Sequence, residues 1–200
     1  VSDVNEAGGE ETVALIAATG GKAVFQRCDV SNGADVKALV ARAVSEYGRL
    51  DFALNNAGIN NLGANEYEDD VWARSMGINL TGVMMCMREE AEVMMAQGKG
   101  AIVNTASING LVGNGAQPGY TASKHGVVGL TRHGALRWAQ AGIRVNCVAP
   151  YGTMSADPAA YSSGSRFNPA SNFFAEAFGG STEHDKSMRA RQPLLGRPVG

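Results

Sequence analysis

Apolar residues recur along this chain in two alternating patterns, which predict helices separated by short strands. Apolar positions three and four residues apart indicate helices, and short, nearly continuous apolar runs bounded by turn residues indicate strands. The predicted helices cover residues 6–19, 36–47, 69–97 and 120–141. The predicted strands cover residues 23–28, 51–54, 101–105 and 143–148, with a further strand ending at Asp3.

Strands that alternate with helices and are apolar along most of their length are typical of parallel sheets covered on both faces. The sequence therefore predicts an α/β fold with a doubly wound parallel sheet of the Rossmann type. We expect a single domain over residues 1–200, with the sheet and helices in 1–150. Beyond Pro150 the chain becomes rich in Ser, Gly, Asn, Ala and Phe, and we expect a substrate-binding lid over 151–195.

Composition narrows the classes of function. The chain has 200 residues, 44% hydrophobic, with a net charge of −2 and no basic stripe, which argues against nucleic acid and anionic membranes as partners. The sequence contains no apolar run near the ~18 residues of a membrane span and no signal-peptide pattern, so we expect a cytoplasmic protein. The three cysteines are far apart, which favours reduced, buried thiols. No group of His, Cys and carboxylate residues has the spacing of metal ligands in the sequence, so we expect no metal.

Polar or small residues follow each predicted strand, where ligands bind in open parallel sheets. They are Asp3, then Asp29 and Val30, then the run Asn55-Asn56-Ala57-Gly58, then Ser107, then Pro150. These residues allow a ligand to approach the backbone closely. The carboxyl edge of the sheet is therefore the predicted binding site for a small molecule.

Tyr120 and Lys124 lie one turn apart on one predicted helix face. A tyrosine pKa near ~10 must fall by ~3 units, or ~4 kcal/mol, before the phenol acts as a base near neutral pH. The ammonium of Lys124 and a positively charged nicotinamide would supply that change. By itself the pair also fits an ordinary surface pair of residues i and i+4.

Two further residues give the pair a context. Ser107 lies at the end of a predicted strand shortly before Tyr120, followed by a loop rich in Gly and Asn. Asn79 lies inside a predicted helix, where asparagine is mildly unfavourable and therefore invites a functional explanation. The run Asn55-Asn56-Ala57-Gly58 comes first in the sequence and is followed by Asn79, Ser107, Tyr120 and Lys124. Residues in this order resemble the short-chain dehydrogenase/reductase family in its single-domain form.

The resemblance extends nearly to Pro150, with Cys28-Asp29-Val30 and Ile143-Arg144-Val145-Asn146 as further landmarks. It implies that Tyr120 is the general acid/base, and that Lys124 lowers its pKa and holds the nicotinamide ribose. It also implies that Ser107 hydrogen-bonds the substrate oxygen, and that Asn79 fixes a water that relays protons to Lys124. The cofactor-binding residues implied in addition are Asp3, Asp29, Val30, Asn56, Ala57, Gly58, Tyr120, Lys124, Pro150, Thr153 and Ser155.

Asp3 has the place of the acidic residue that accepts the ribose hydroxyls of the cofactor. No Arg or Lys stands beside it in the sequence to hold a 2′-phosphate, so NAD is favoured over NADP as the cofactor. Asp3 also fits a second interpretation, in which it caps the helix that begins near Glu6.

The sequence departs from the family pattern in two places. The family's glycine-rich phosphate loop, with its first strand and helix, would precede Val1, and its closing helix and strand would follow Gly200. We therefore expect a portion of a longer enzyme that alone binds NAD poorly, because the pyrophosphate lacks its helix N-terminus. Tyr151 stands where the family has glycine after Pro150, which leaves both Thr153 and Ser155 as candidates for the nicotinamide carboxamide.

The expected activity is the NAD(P)-dependent interconversion of a secondary alcohol and a ketone, in a homodimer or homotetramer. Methionines at near-helical spacing from Met84 to Met95 indicate packing in the core or at a subunit contact, and the second of these would fit such an oligomer. Two alternatives stay open. One is a sugar-nucleotide epimerase or dehydratase that uses the same Tyr and Lys, and the other is a non-catalytic NAD-binding protein or inactive fragment.

Overall fold

A computed structural model of the protein describes residues 1–60, 65, 67–113 and 118–150. These residues belong to one compact unit, Val1–Thr153. The predicted lid over 151–195 lies outside them. The strands are β1 (Ser2–Asp3), β2 (Gln26–Arg27), β3 (Phe52–Asn55), β4 (Gly100–Thr105) and β5 (Ile143–Val148). The helices are α1 (Glu6–Ala18), α2 (Gly33–Tyr47), α3 (Asp69–Met76), α4 (Val83–Gln97) and α5 (Pro118–Trp138).

Local sequence signals set several helix ends. The Asn5 side chain accepts a hydrogen bond from the Gly8 backbone N–H at the start of α1, and Asn32 accepts one from Ala34 at the start of α2. Gly48 ends α2 in the left-handed conformation, with a φ of 76°, which glycine adopts without steric cost. The second strand is shorter than predicted, since only Gln26–Arg27 of residues 23–28 pair with the two residues of β1.

The long helix predicted over 69–97 is interrupted by a change of winding. Between α3 and α4, residues Gly77–Gly82 form a π-helix, and Asn79 lies inside it. Such insertions are rare and frequently mark functional positions. No proline separates the two parts, which is why the sequence indicated one uninterrupted helix.

The α/β fold class is confirmed, because every strand pair is parallel and helices connect the strands. The sheet consists of two hydrogen-bonded parts, β1–β2 and β3–β4–β5. A cavity of about 340 Å³ lies between them, lined by residues of β1 and β3 and, from α2 and α4, by residues that include Val36, Cys86 and Glu90. In the part of the chain that the structure describes, no strand pairs with both β1 and β3.

The two parts of the sheet have separate apolar clusters. The larger cluster joins α4, β4, α5 and β5 and includes the fully buried Met94, Ile102 and Val127. The smaller one consists of Cys28, Val36 and Cys86 with partly buried neighbours. The predicted cover on both faces does not extend to β3, where Phe52 and Leu54 are 74% and 65% exposed.

Among the described helices, none combines the length and the apolar character that a membrane crossing requires.

Candidate active site

Lys124 is a buried cation fixed to the end of strand β4. Its side chain is 4% exposed, and its Nζ donates a hydrogen bond of 2.7 Å to the Thr105 carbonyl oxygen. The same Nζ lies 5.7 Å from the centre of the Tyr120 ring. This is within the range in which a cation is attracted to an aromatic face. The predicted pairing of Tyr120 with Lys124 is therefore present in the fold as a contact between ammonium and ring.

Burial lowers the pKa of Lys124 from 10.5 to about 8, because the charged ammonium loses solvation. A lysine with such a pKa remains mostly protonated at neutral pH but titrates within the range in which enzymes work. The charge that stands beside Tyr120 is thus present at pH 7 and lost in mildly alkaline solution.

Asn79 ties the loop after β3 to the π-helix. It is fully buried, and its Oδ1 accepts a hydrogen bond of 2.7 Å from the Ile59 backbone N–H. Its Nδ2 donates to the Ile59 carbonyl at 2.9 Å and to Ser123 Oγ at 3.4 Å. The asparagine amide thus replaces a strand partner for Ile59. Ser123 stands next to Lys124, so Asn79 also reaches the helix that carries the Tyr and Lys.

Gly58 borders the space between Asn79 and Lys124. A methyl group on Gly58 would lie 3.3 Å from Asn79 Oδ1 and 3.5 Å from Lys124 Nζ. Both polar atoms therefore face the same glycine. A side chain here would press on the amide and the ammonium, so the absence of a Cβ keeps a small space open beside both groups.

Ser107 is held beside α5 by the turn that follows it. Its side chain is 8% exposed, and its Oγ accepts a hydrogen bond of 3.2 Å from the Asn109 backbone N–H. The next turn, Ile108–Gly110, packs so closely on α5 that a Cβ on Gly110 would lie 2.5 Å from the Lys124 carbonyl oxygen. The close packing places the segment after Ser107 directly against the helix of Tyr120 and Lys124.

The ends of β3, β4 and β5 are linked to one another at this edge. Thr105 Oγ1 donates a hydrogen bond of 3.0 Å to Asn56 Oδ1, which joins β4 to the end of β3. The Pro150 carbonyl accepts a hydrogen bond of 3.0 Å from the Ile108 backbone N–H, which joins the end of β5 to the turn after Ser107. Asn56, Ser107 and Pro150 thus meet at one edge, as the strand order predicts.

A buried polar network lies beneath this edge. Asn55 Nδ2 donates to Glu90 Oε2 at 3.1 Å and to Asn104 Oδ1 at 3.0 Å. Asn104 Nδ2 donates to Thr131 Oγ1 at 2.9 Å, and Thr131 donates onward to the Val127 carbonyl at 2.7 Å. The network joins β3, α4, β4 and α5. It fixes the relative positions of the elements that carry Asn56, Thr105 and Lys124.

Burial raises the pKa of Glu90 from 4.5 to about 7, and the hydrogen bond from Asn55 opposes this effect only in part. Its carboxyl group is therefore substantially protonated at neutral pH.

A second cavity, of about 620 Å³, runs from the loop after β3 to β1 and β2. The predicted cofactor residues that line it are Asp3, Asp29, Val30, Ala57 and Gly58. The backbone at Gly58 carries no Cβ that would obstruct a ligand between this cavity and Lys124. A dinucleotide cofactor fits these residues, because an acidic side chain, apolar walls and an open backbone follow one another toward Tyr120 and Lys124.

The side chains at the far end of this cavity are held by contacts within the protein. Asp3 Oδ1 accepts a hydrogen bond of 2.9 Å from the Asn5 backbone N–H. Asp29 Oδ1 accepts bonds from the N–H and the hydroxyl of Ser31, which hold the pKa of Asp29 below its usual value. Val30 packs against Gly82, where a Cβ would lie 2.8 Å from its side chain.

A cation stands beside Asp3 in the fold, although none is next to it in the sequence. Strand β2 pairs with β1 so that Arg27 lies in register with Asp3, and Arg27 lines the same cavity. Arg74 of α3 lines it as well. Both arginines are distant from Asp3 in the sequence, so a reading of neighbouring residues missed them.

Other contributors were also missed by the sequence analysis. The Thr105 carbonyl contacts Lys124, and Ser123 contacts Asn79. Glu90, Asn104 and Thr131 belong to the buried hydrogen-bond network that joins the elements carrying these residues. A polar residue inside an apolar strand, as at Asn104, is the one signal that the sequence offered. The predicted cofactor residues Thr153 and Ser155 lie outside the described residues.

Comparisons with known proteins identify relatives of this chain. The family model for short chain dehydrogenases matches residues 1–163. The chain is 45% identical over 153 residues to a 2,5-dichloro-2,5-cyclohexadiene-1,4-diol dehydrogenase of Sphingobium indicum, covering 75% of this chain and 60% of that protein. It is 45% identical over 154 residues to a cyclohexanol dehydrogenase of an Acinetobacter species, covering 75% and 61%.

Among solved structures, an NAD⁺-bound xylitol dehydrogenase matches with a TM-score of 0.72 and 34% identity, covering 74% of this chain and 58% of that one. The chain spans about 60% of the length of the two curated relatives named above. All four predicted catalytic residues fall within the matched region. On its sequence, its parallel fold and these matches, the chain belongs to the short-chain dehydrogenase family.

Proposed function

We propose that the protein interconverts a secondary alcohol and a ketone, with NAD as the hydride carrier. The observation that carries the proposal is the position of Lys124. Its buried ammonium is anchored on the Thr105 carbonyl, lies beside the Tyr120 ring and faces Asn79 across Gly58. A cation held in this way favours the anionic form of a neighbouring phenol.

In the oxidation direction, Tyr120 accepts the proton of the substrate hydroxyl as the carbinol C–H bond breaks. Bound NAD would take up that hydrogen with its electron pair at the nicotinamide ring. Lys124 stabilises the phenolate before the transfer, and it needs no reorganisation because Thr105 already fixes it. In the reverse direction Tyr120 returns the proton to the carbonyl oxygen.

Ser107 and Asn79 complete the proposed site. The Ser107 hydroxyl would hydrogen-bond the substrate oxygen, which becomes alkoxide-like as the hydride leaves. Asn79 would hold a water in the space beside Gly58, between its Oδ1 and Lys124 Nζ, and this water would carry protons between Lys124 and solvent. The predicted catalytic residues thus keep the roles that the family resemblance implied.

The same proposal assigns the cofactor to the cavity of about 620 Å³. Asp3 would accept the ribose hydroxyls, Asp29 and Val30 would flank the adenine, and the backbone from Asn56 to Gly58 would follow the cofactor toward Lys124. Tyr120, Lys124 and Pro150 would surround the nicotinamide, with Thr153 or Ser155 at its carboxamide. The NAD⁺ bound to the related xylitol dehydrogenase supports a nicotinamide cofactor.

For the substrate, we propose a cyclic secondary alcohol. Two relatives at 45% identity are named for a cyclohexadienediol and for cyclohexanol. We further propose a cytoplasmic homodimer or homotetramer, in which α4 and α5 pack against a second copy. Met84 and Met95 of α4 and Leu136 of α5 expose apolar surface that such a contact would cover.

The test is a spectrophotometric assay of NADH formation with a panel of cyclic secondary alcohols, using the natural protein that contains this chain. Tyr120→Phe removes only the hydroxyl, and we expect NADH formation to fall by about 10²–10⁴. The matched control is Tyr47→Phe, an exposed tyrosine at the end of α2, which should keep the wild-type rate. Equal rates for Tyr120→Phe and wild type would overturn the proposal.

A further inference from the structure

A pair of opposite charges lies beside Asp3. Arg27 of β2 stands in register with Asp3, and its Nε lies 3.7 Å from Glu6 Oε1 at the first turn of α1. The Glu6 and Arg27 side chains are 70% and 54% exposed. Glu6 is three residues from Asp3, so both carboxylates come from the segment that joins β1 to α1.

Arg27 is the group that a cofactor with a 2′-phosphate would need. A guanidinium next to the ribose-binding acid offers a planar set of donors that matches phosphate oxygens. Arg27 and Asp3 both line the cavity proposed for the cofactor. The ion pair with Glu6 directs it toward α1 and compensates its charge.

The other charges around this cavity do not replace Arg27. Arg74 lines the cavity from α3, and Arg27 and Arg74 both lower the pKa of Asp29, which shows that their fields reach that carboxylate. Asp29 therefore offsets part of both positive charges. Glu6 is the acid that pairs directly with the cation nearest Asp3.

From this arrangement we propose that Glu6 is a cofactor-specificity residue. Resting on the proposed function, the inference is that the Glu6 carboxylate withholds Arg27 from the ribose and repels a 2′-phosphate, which makes the site select NAD over NADP. Asp3 selects by contact with the ribose, whereas Glu6 selects by controlling Arg27. Removing the charge of Glu6 would free Arg27 to meet the phosphate of NADP.

The experiment measures kcat/KM for NAD and for NADP in the natural protein, with one alcohol held at saturation. In Glu6→Gln we expect the ratio of NADP to NAD activity to rise by about two- to fivefold, the size of an exposed charge pair. Glu10→Gln, an exposed residue of the same helix, is the control for net charge and should leave the ratio unchanged.

The double variant Glu6→Gln/Arg27→Gln separates the role of Arg27 from that of charge in general. We expect it to lose the gain for NADP, because the phosphate then has no guanidinium to bind. An unchanged ratio in Glu6→Gln, with wild-type NAD turnover intact, overturns this inference alone. A gain that persists in the double variant also overturns it. Absence of turnover with either cofactor in the wild type would instead refute the proposed function.

Discussion

The two parts of the sheet differ in how firmly they hold their polar residues. Around β3, β4 and β5, a large apolar cluster surrounds a hydrogen-bonded network from Glu90 to Thr131, and Lys124 and Asn79 are buried against it. Around β1 and β2, each strand has two residues, the cluster is small, and Asp3, Glu6 and Arg27 face solvent.

This difference separates the two tasks of the proposed enzyme. Proton transfer requires groups held to within fractions of an ångström, and a packed core provides this. Binding one end of a cofactor tolerates more movement, because its energy is spread over several contacts. Substitutions in the β3–β5 part should therefore affect turnover and stability, whereas substitutions in the β1–β2 part should affect the KM for the cofactor.

The largest effect is expected for Lys124→Met. Loss of the ammonium beside Tyr120 should lower kcat by about 10²–10⁴, since the proposed stabilisation of the phenolate by the Lys124 charge is then lost. Methionine fills a similar volume, so thermal melting should remain cooperative and show that the fold survives. Lys37→Met, an exposed residue of α2, is the control. A kcat within twofold of wild type would contradict the claim that the β3–β5 part holds the groups needed for turnover.

Next in size is the pH dependence of stability conferred by Glu90. Its pKa is 4.5 in the unfolded chain and about 7 in the fold, so both states hold the proton below pH 4.5 and only the fold holds it between these values. Stability therefore falls as pH rises from 4.5 to 7, by on the order of 3 kcal/mol.

Glu90→Gln keeps an acceptor for Asn55 and removes the titration. Urea unfolding should show that the free energy of unfolding of the variant rises relative to wild type between pH 5 and 7, the interval between the two pKa values of Glu90. Glu92→Gln, exposed on the same helix, should stay parallel to wild type throughout. Parallel curves for Glu90→Gln would mean that this carboxyl is not a buried, protonated group.

A smaller effect is expected for Gly110→Ala. The added methyl would lie 2.5 Å from the Lys124 carbonyl oxygen, which belongs to a helix backbone and yields only by moving α5 or the turn after Ser107. The free energy of unfolding should fall by about 1–3 kcal/mol, and kcat should fall with it. Gly113→Ala is the matched control, because a methyl there meets none of the described residues within 4 Å.

The smallest effect on turnover should come from the β1–β2 part. Asp3→Asn keeps the shape of the side chain but would weaken its proposed bonds to the ribose hydroxyls, so the KM for NAD should rise by about tenfold. The kcat at saturating NAD should stay near that of wild type. Initial-rate kinetics over a range of NAD concentrations separate the two constants. A fall in kcat without a change in KM would mean that the β1–β2 part contributes to turnover and not to cofactor binding.

Much of this fold was predictable because periodicity and turn residues report local structure directly. Helix α2 ends at Gly48 as its glycine indicated, and the strand over 143–148 has the predicted limits. Asn79, Ser107, Tyr120 and Lys124 were recognisable from their order in the sequence. The structure brings their elements together at the edge where β3, β4 and β5 end.

What the sequence could not predict depends on contacts between distant residues. The pairing of Asp3 with Arg27 follows from the register of β1 on β2, which no local pattern encodes. The π-helix at Asn79 is continuous with helices on both sides, so the sequence pattern does not reveal the change of winding. The anchor for Lys124 is the Thr105 carbonyl, a backbone atom that every residue possesses.

The most direct test of the central claim follows the substrate's hydrogen. A cyclic secondary alcohol carrying deuterium on its carbinol carbon would be oxidised with NAD, and the reduced cofactor and product examined by mass spectrometry and NMR. We expect one deuterium on the nicotinamide ring of the reduced cofactor and a ketone without deuterium, with both products formed about 10²–10⁴ times more slowly in Tyr120→Phe. Deuterium retained in an alcohol of inverted configuration, with no net NADH, would contradict the dehydrogenase and favour the epimerase alternative.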